Sequence, residues 1–294
     1  MLASQSVLIK AVENTLLLGE HSLTYKCWGD IKDPAKTIVA LHGWQDNAAS
    51  FDLLAPVLSQ YYRLIAVDLA GHGLSYHRSR DSGYNIWQDL RDINQLADAL
   101  GLEHFILMGH SRGAIISTLY GATFPRQVQK LVLLDGFMPE PVRPEEAPHQ
   151  LARAILDNRS LGAKAPRLYA SMEEALSARM VGGLALSKDA ASRIASRGLG
   201  RKDDMYFWRA DVRLKGASDI KLTAEHCRAF VQSIGCPSLL LKARDHQLTL
   251  ESELVAANPY IRLKELPGGH HFHLEERFCQ AVAENILTFL RQQG

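Results

Sequence analysis

Four short apolar runs in the first half of the chain restrict its fold more than any other feature. They are TIVALHG (37–43), YRLIAVDLAG (62–71), HFILMGH (104–110) and KLVLLDG (130–136). A strand with one wet face alternates apolar and polar residues. These runs are nearly continuous, so they suit parallel strands buried on both faces. The stretches between them have helical spacing. Residues 47–60 open with Asn47 as an N-cap, and 85–101 repeat apolar residues at 86, 90, 93, 96 and 100 before Gly101. Residues 112–125 are small and apolar and stop at Pro125. This alternation predicts a doubly wound α/β sheet. Ahead of it, VLIKA (7–11), NTLLLGE (14–20) and HSLTYKCWG (21–29) read as an antiparallel meander.

The alternation breaks after Asp135. Pro139, Pro141, Pro144 and Pro148 crowd the next segment, and no strand run is evident from there to about residue 222. LARAILDN, SMEEALSARM and DAASRIAS read as helices. Strand–helix alternation then resumes with SLLLKA (238–243), a helix over TLESELVAA (249–257), IRLKEL (261–266) and a C-terminal helix. The expected organisation is a core over 1–136 and 223–294, with a helical cap over 137–222 inserted between two parts of one sheet.

Composition narrows the partners. Lys and Arg number 33 against 32 Asp and Glu, for a net charge of +1 over 294 residues. No global field favours nucleic acid or an anionic membrane. No apolar run approaches the roughly 18 residues of a bilayer span, and Glu13 and Asn14 interrupt the N-terminal apolar stretch where a signal peptide would be continuous. Cys27, Cys227, Cys236 and Cys279 form no CxxC pair, which suits reduced thiols in a cytoplasmic protein. Oligomeric state, monomer or homodimer, is not encoded legibly.

The chemistry concentrates where strand 104–110 runs into Gly109-His110-Ser111-Arg112-Gly113 and a helix. A G-x-S-x-G turn between strand and helix lifts a serine Oγ clear of the backbone and sets it at a helix N-terminus, where developing negative charge is favoured. A serine needs a base oriented by an acid. Asp245 follows strand 238–243, and Gly268-Gly269-His270-His271-Phe272-His273 follows strand 261–266, giving the order Ser, Asp, His. Adjacent histidines in an extended loop point apart, and no Cys or carboxylate has metal-site spacing, so neither a metal nor any other cofactor is expected.

Four motifs spread over the core now carry a resemblance: Leu41-His42-Gly43-Trp44, Asp68-x-x-Gly71-His72-Gly73-x-Ser75, Gly109-His110-Ser111-Arg112-Gly113 and Gly269-His270-His271-Phe272-His273-Leu274-Glu275. The chain resembles the α/β-hydrolase superfamily, in particular its serine hydrolase-like group, near the epoxide hydrolases and haloalkane dehalogenases but with serine as nucleophile. The resemblance implies an α/β-hydrolase fold: a mostly parallel central sheet flanked by helices, with an inserted cap. It implies Ser111 as nucleophile, Asp245 as acid and His270 as base, with His271 and Asp135 as alternatives for base and acid. Asp245 departs from the family turn, because Ala243 stands where glycine is usual. The backbone N–H groups of Trp44 and Arg112 would form the oxyanion hole, and Trp44 and Trp87 would line the pocket. His42 and His110 take structural places. Arg112 is unusual beside a serine; it would hold a substrate carboxylate or a nearby acidic side chain. The implied activity is cofactor-free hydrolysis of small-molecule carboxylic esters through an acyl-enzyme. The alternatives are the same triad acting on lactones, thioesters, C–C bonds or in acyl transfer, and a non-catalytic binding protein that keeps the fold.

Overall fold

The computed structural model describes residues 9–181, 186–247 and 252–292. The strands in chain order are β1 (Val12–Leu18), β2 (His21–Trp28), β3 (Thr37–Leu41), β4 (Arg63–Val67), β5 (Phe105–His110) and β6 (Val128–Leu134). A hairpin, β7 (Leu199–Lys202) with β8 (Met205–Trp208), comes before β9 (Ser238–Ala243) and β10 (Ile261–Leu266). The helices are α1 (Ala55–Leu58), α2 (Ile86–Ala99), α3 (Arg112–Thr123), α4 (Ala147–Gly162), α5 (Met172–Met180), α6 (Lys188–Gly198), α7 (Ala224–Gln232), α8 (Ser252–Ala256) and α9 (Glu276–Arg291).

Eight strands form one sheet in the order β1-β2-β4-β3-β5-β6-β9-β10. The pairs β1–β2 and β2–β4 are antiparallel and the rest are parallel. Residues along each central strand alternate between two cores because side chains of a strand point to opposite faces. Val39, Leu41, Ile65, Leu107 and Leu131 pack on one side with α2, α3 and α7, while Ile38, Ala40, Leu64, Met108 and Val132 pack on the other with α1 and α9. Both sides are dry, which is why the sequence runs are continuously apolar. The edge strand β10 is largely exposed and carries Arg262, Lys264 and Glu265, charges that discourage edge pairing.

The order places β4 and β5 on opposite sides of β3, so the chain reverses its winding direction there. The carboxyl ends of β3 and β5 therefore flank the crevice in which open α/β sheets bind ligands. The loops after them carry Trp44 and Ser111.

Between β6 and α7 the chain leaves the sheet for α4, α5, α6 and the β7–β8 hairpin. The hairpin corrects the expectation of a strand-free segment. Its first strand, Leu-Gly-Arg-Lys, lacks apolar alternation, and the turn depends on Asp203 at φ 53°, a conformation that Asp tolerates better than most residues. Residues 47–60 also differ, forming a short 3₁₀ turn over Ala48–Phe51 and then α1 instead of one helix. Asn47 does cap the first of these, accepting from the Ala49 N–H. Parts of two expected elements, residues 7–8 of the first meander strand and 249–251 of the helix after β9, lie outside the described residues.

Candidate active site

The turn between β5 and α3 is held by its backbone. Ser111 adopts φ 51° and ψ −118°, a strained conformation costing about 1–3 kcal/mol that neighbouring contacts must impose. Its N–H donates to the Leu134 carbonyl of β6 at 2.9 Å, and its carbonyl accepts from Ala114 and Ile115 in the first turn of α3. Close approach explains the flanking glycines. A Cβ on Gly113 would lie 2.0 Å from the Leu41 carbonyl oxygen, and one on Gly136 would lie 2.4 Å from the Ser111 carbonyl oxygen. Helix α3 thus abuts β3, and the loop after β6 abuts the serine.

Asp135 ends β6 at φ 45°, with its N–H bonded to the Leu241 carbonyl. One carboxylate oxygen accepts from the Ala243 N–H at 2.9 Å, and the other lies 2.6 Å from Nδ1 of His270. His270 sits in the loop after β10. Its carbonyl accepts from Nε2 of His110 at 2.9 Å, so the residue before the serine ties the elbow to the histidine loop. Nε2 of His270 is buried and has no hydrogen-bond partner among the described residues. Burial pulls the His270 imidazole down to about 4, against the opposing pull of Asp135, so the ring is neutral at pH 7. Its Nδ1–H points at Asp135 and its Nε2 lone pair is open. Burial would push the Asp135 carboxyl up, but the His270 hydrogen bond, the Ala243 N–H and the nearby rings hold it below the usual carboxylate range.

Asp245 is not brought to this histidine, which corrects the expected acid. It is exposed, and among the described residues its carboxylate accepts only from the Gly268 N–H at 3.3 Å. The reason is local: the N–H of Ala243 is taken by Asp135, and the following turn carries Asp245 outward. The next residue, His246, faces the site instead. Its Nδ1 approaches the His270-facing oxygen of Asp135 to 2.6 Å, although out of line for a hydrogen bond. The alternative acid, Asp135, holds the position beside His270. The alternative base, His271, is directed elsewhere; its Nε2 lies 3.1 Å from Asp46.

Asp46 carried no role in the sequence reading, yet it joins four segments. It is fully buried, accepts from Arg179 of α5 at 2.9 Å and from His271, and lies 3.7 Å from Nδ1 of His110. Burial opposes its charge, but these neighbours together hold its carboxyl well below the usual range. Two further buried histidines are hydrogen-bonded within the fold. His42 Nε2 accepts from the Leu69 N–H while its Nδ1–H donates to the Gly43 carbonyl, and His273 bonds Ser50.

The N–H of Arg112 opens α3, where no intrahelical acceptor exists. Neither it nor the N–H of Trp44 has an acceptor among the described residues. The Arg112 side chain turns away and donates to Asp89 at 2.6 Å, so the carboxylate it holds is buried and belongs to the protein. Trp44 is part-exposed and donates its indole N–H to the Leu214 carbonyl, while Trp87 stacks on Phe230 at the core. Neither lines the large cavity of about 770 Å³, whose wall includes Gln45, Tyr169 and Trp208.

Two groups bring three metal-capable donors within 4.8 Å of one another: Asp135, His246 and His270, and Asp46, His110 and His271. The guanidinium of Arg179 already neutralises Asp46 and would repel a cation from the second group. The first coincides with the acid–histidine pair, so an ion there would occupy the nitrogen bonds that pair uses. No helix among the described residues is long and apolar enough to cross a membrane.

Comparison with known proteins identifies the family. A family model described as "alpha/beta hydrolase fold" matches residues 36–277. Human serine hydrolase-like protein 2 is 30% identical over 285 residues, covering 90% of this chain and 90% of its own. A serine hydrolase-like protein of Dictyostelium discoideum is 27% identical, covering 91% of this chain and 78% of its own. The crystal structure of a hypothetical protein from Pseudomonas aeruginosa PAO1 superposes with a TM-score of 0.89 at 38% identity, over 95% of this chain and 99% of that one.

Proposed function

Because the chain belongs to the α/β-hydrolase family, and within it to the serine hydrolase-like group, we propose that it is a hydrolase of carboxylic esters acting through Ser111, His270 and Asp135. The observation that carries this reading is the His270 ring. One nitrogen is bonded to a buried carboxylate, the other is buried and has no partner among the described residues, and its backbone is tied to the residue before a strained serine.

In this mechanism Ser111 Oγ attacks the ester carbonyl as His270 Nε2 takes the hydroxyl proton. Asp135 fixes the Nδ1–H tautomer and stabilises the imidazolium. The N–H groups of Trp44 and Arg112 donate to the tetrahedral oxyanion. Collapse breaks the C–O bond, and the departing alkoxide takes the proton from His270. Water, deprotonated by the same nitrogen, then attacks the acyl-enzyme; the acid is released and the proton returns to Ser111. The segment 137–222 serves as a cap over the site, and Arg112 works through Asp89 to brace the elbow. The cytoplasm remains the proposed compartment; Cys27, Cys236 and Cys279 form no disulfide.

A fluorophosphonate probe tests the reading, since it phosphonylates only an activated serine. The wild type is expected to be labelled and the Ser111→Ala variant not. A folded wild type that resists labelling would overturn the assignment.

A further inference from the structure

The large cavity has a charge unlike that of the whole chain. Its wall is formed by the loop after β4, by the end of α4 and the segment leading to α5, by α5 itself, and by β8 and the return from it toward α7. Apolar surface comes from Leu161, Tyr169, Phe207, Trp208 and Val212, while the only acidic side chain among the described wall residues is Asp211. Asp211 is already committed to Arg213 and to the Tyr84 hydroxyl.

Against that single carboxylate the wall presents many cations. Arg78 and Arg179 are pinned by buried carboxylates at one end, Asp92 and Asp46, yet the Nε of each is buried without an acceptor among the described residues. Arg80, Lys164 and Lys215 have no acidic partner among the described residues, and Arg209 bonds only the Leu199 carbonyl. Arg167 has Glu174 at 3.8 Å, an exposed pair worth little. Cations gathered in a concave wall reinforce one another's field, and assembling them costs energy unless an anion offsets it. A protein with a net charge of +1 has no general surplus to place there.

Ser111 and His270 lie outside the wall, but two wall arginines each connect, through one buried aspartate, to the residue next to one of them in sequence. Arg179 bonds Asp46, which bonds His271; Arg78 lies 3.4 Å from Asp89, which bonds Arg112. The cavity is therefore placed for the end of a substrate remote from the bond that is cut. We infer that this cavity binds a polyanionic group of two or more negative charges, so that the substrates are esters or thioesters whose far end is phosphorylated or polycarboxylated. The substrate part of this inference rests on the hydrolase reading above; the anion site itself does not.

Titration calorimetry of pyrophosphate and of citrate into the intact Ser111→Ala protein tests the site without catalysis. Binding is expected to weaken with added salt. It should also weaken about tenfold or more in Arg80→Glu/Lys164→Glu/Lys215→Glu, whose targets are exposed and outside the ion pairs. The two ligands distinguish a phosphate from a carboxylate source. Binding of neither, or equal binding by the triple variant, overturns the inference. If the triple reversal impairs folding, Lys164→Gln and Lys215→Gln taken singly should show the same direction. With active enzyme, S-butyryl pantetheine and its 4′-phosphate share a scissile bond, and the phosphorylated member should have the lower KM only when the cavity cations are intact. Anion binding by a protein that no fluorophosphonate labels would refute the hydrolase reading while leaving the site standing.

Discussion

Replacing Asp135 by Asn should be the most damaging change that leaves the serine and histidine in place. The carboxylate now accepts on both oxygens, from the Ala243 N–H at 2.9 Å and from His270 Nδ1–H at 2.6 Å. An asparagine has one oxygen. If that oxygen stays on Ala243, the amide NH₂ faces Nδ1 of His270 and selects the Nε2–H tautomer, leaving no lone pair for the serine proton. If the amide flips, its NH₂ meets the Ala243 N–H donor to donor. Either arrangement also removes the negative charge that stabilises the imidazolium. A wrong-tautomer histidine in a serine hydrolase costs about 10⁴ in kcat, roughly 5 kcal/mol of barrier. Steady-state hydrolysis of p-nitrophenyl butyrate measures it, with fluorophosphonate labelling rates as a second readout. Asp245→Asn is the control and should stay within about twofold of wild type, because that carboxylate is exposed and among the described residues accepts only from the Gly268 N–H. Near-normal kcat in Asp135→Asn, or a collapse in Asp245→Asn, would refute the reasoning.

Three further outcomes follow from the charges. Because the His270 imidazole is pulled down to about 4, kcat/KM should rise with pH through an acid limb near that value and stay flat across neutrality. The folded value lies below the unfolded 6.5, so the folded state binds fewer protons; stability is full above about pH 6.5 and falls toward pH 4, which pH-dependent thermal melts will read. Arg197→Leu should unfold at a temperature roughly 5–10 °C lower. It strips the guanidinium 2.8 Å from the fully buried Asp68, leaving that carboxylate with only the Ala48 and Leu74 N–H groups. Unchanged melting would mean that solvent reaches Asp68.

The sheet was legible because its signal is local: runs buried on both faces look continuous, and each central strand lies where such a run stands. The serine turn was legible for the same reason, since strand, small residues and helix are consecutive. The acid was not. Asp135 and Asp245 both follow strands of the same sheet, and only the third dimension shows that the Ala243 N–H is claimed by one and turns the other outward. Asp46 and Arg179 lie 133 residues apart and carry no shared spacing, so nothing along the chain announces their pairing. The β7–β8 hairpin escaped notice because one of its strands has no apolar period to read.

The bonds between the insertion and the sheet bear on how such an enzyme could be rebuilt. Arg179 and Arg197 belong to the inserted segment, while Asp46 and Asp68, the fully buried carboxylates they satisfy, belong to the core. Excising the insertion would strand two anions in a dry interior, so the segment is not a detachable module. A chimera that grafts a foreign insertion onto this sheet would have to supply guanidinium groups at the same two points or neutralise both aspartates. Any replacement of the insertion therefore has to bring its own counterions.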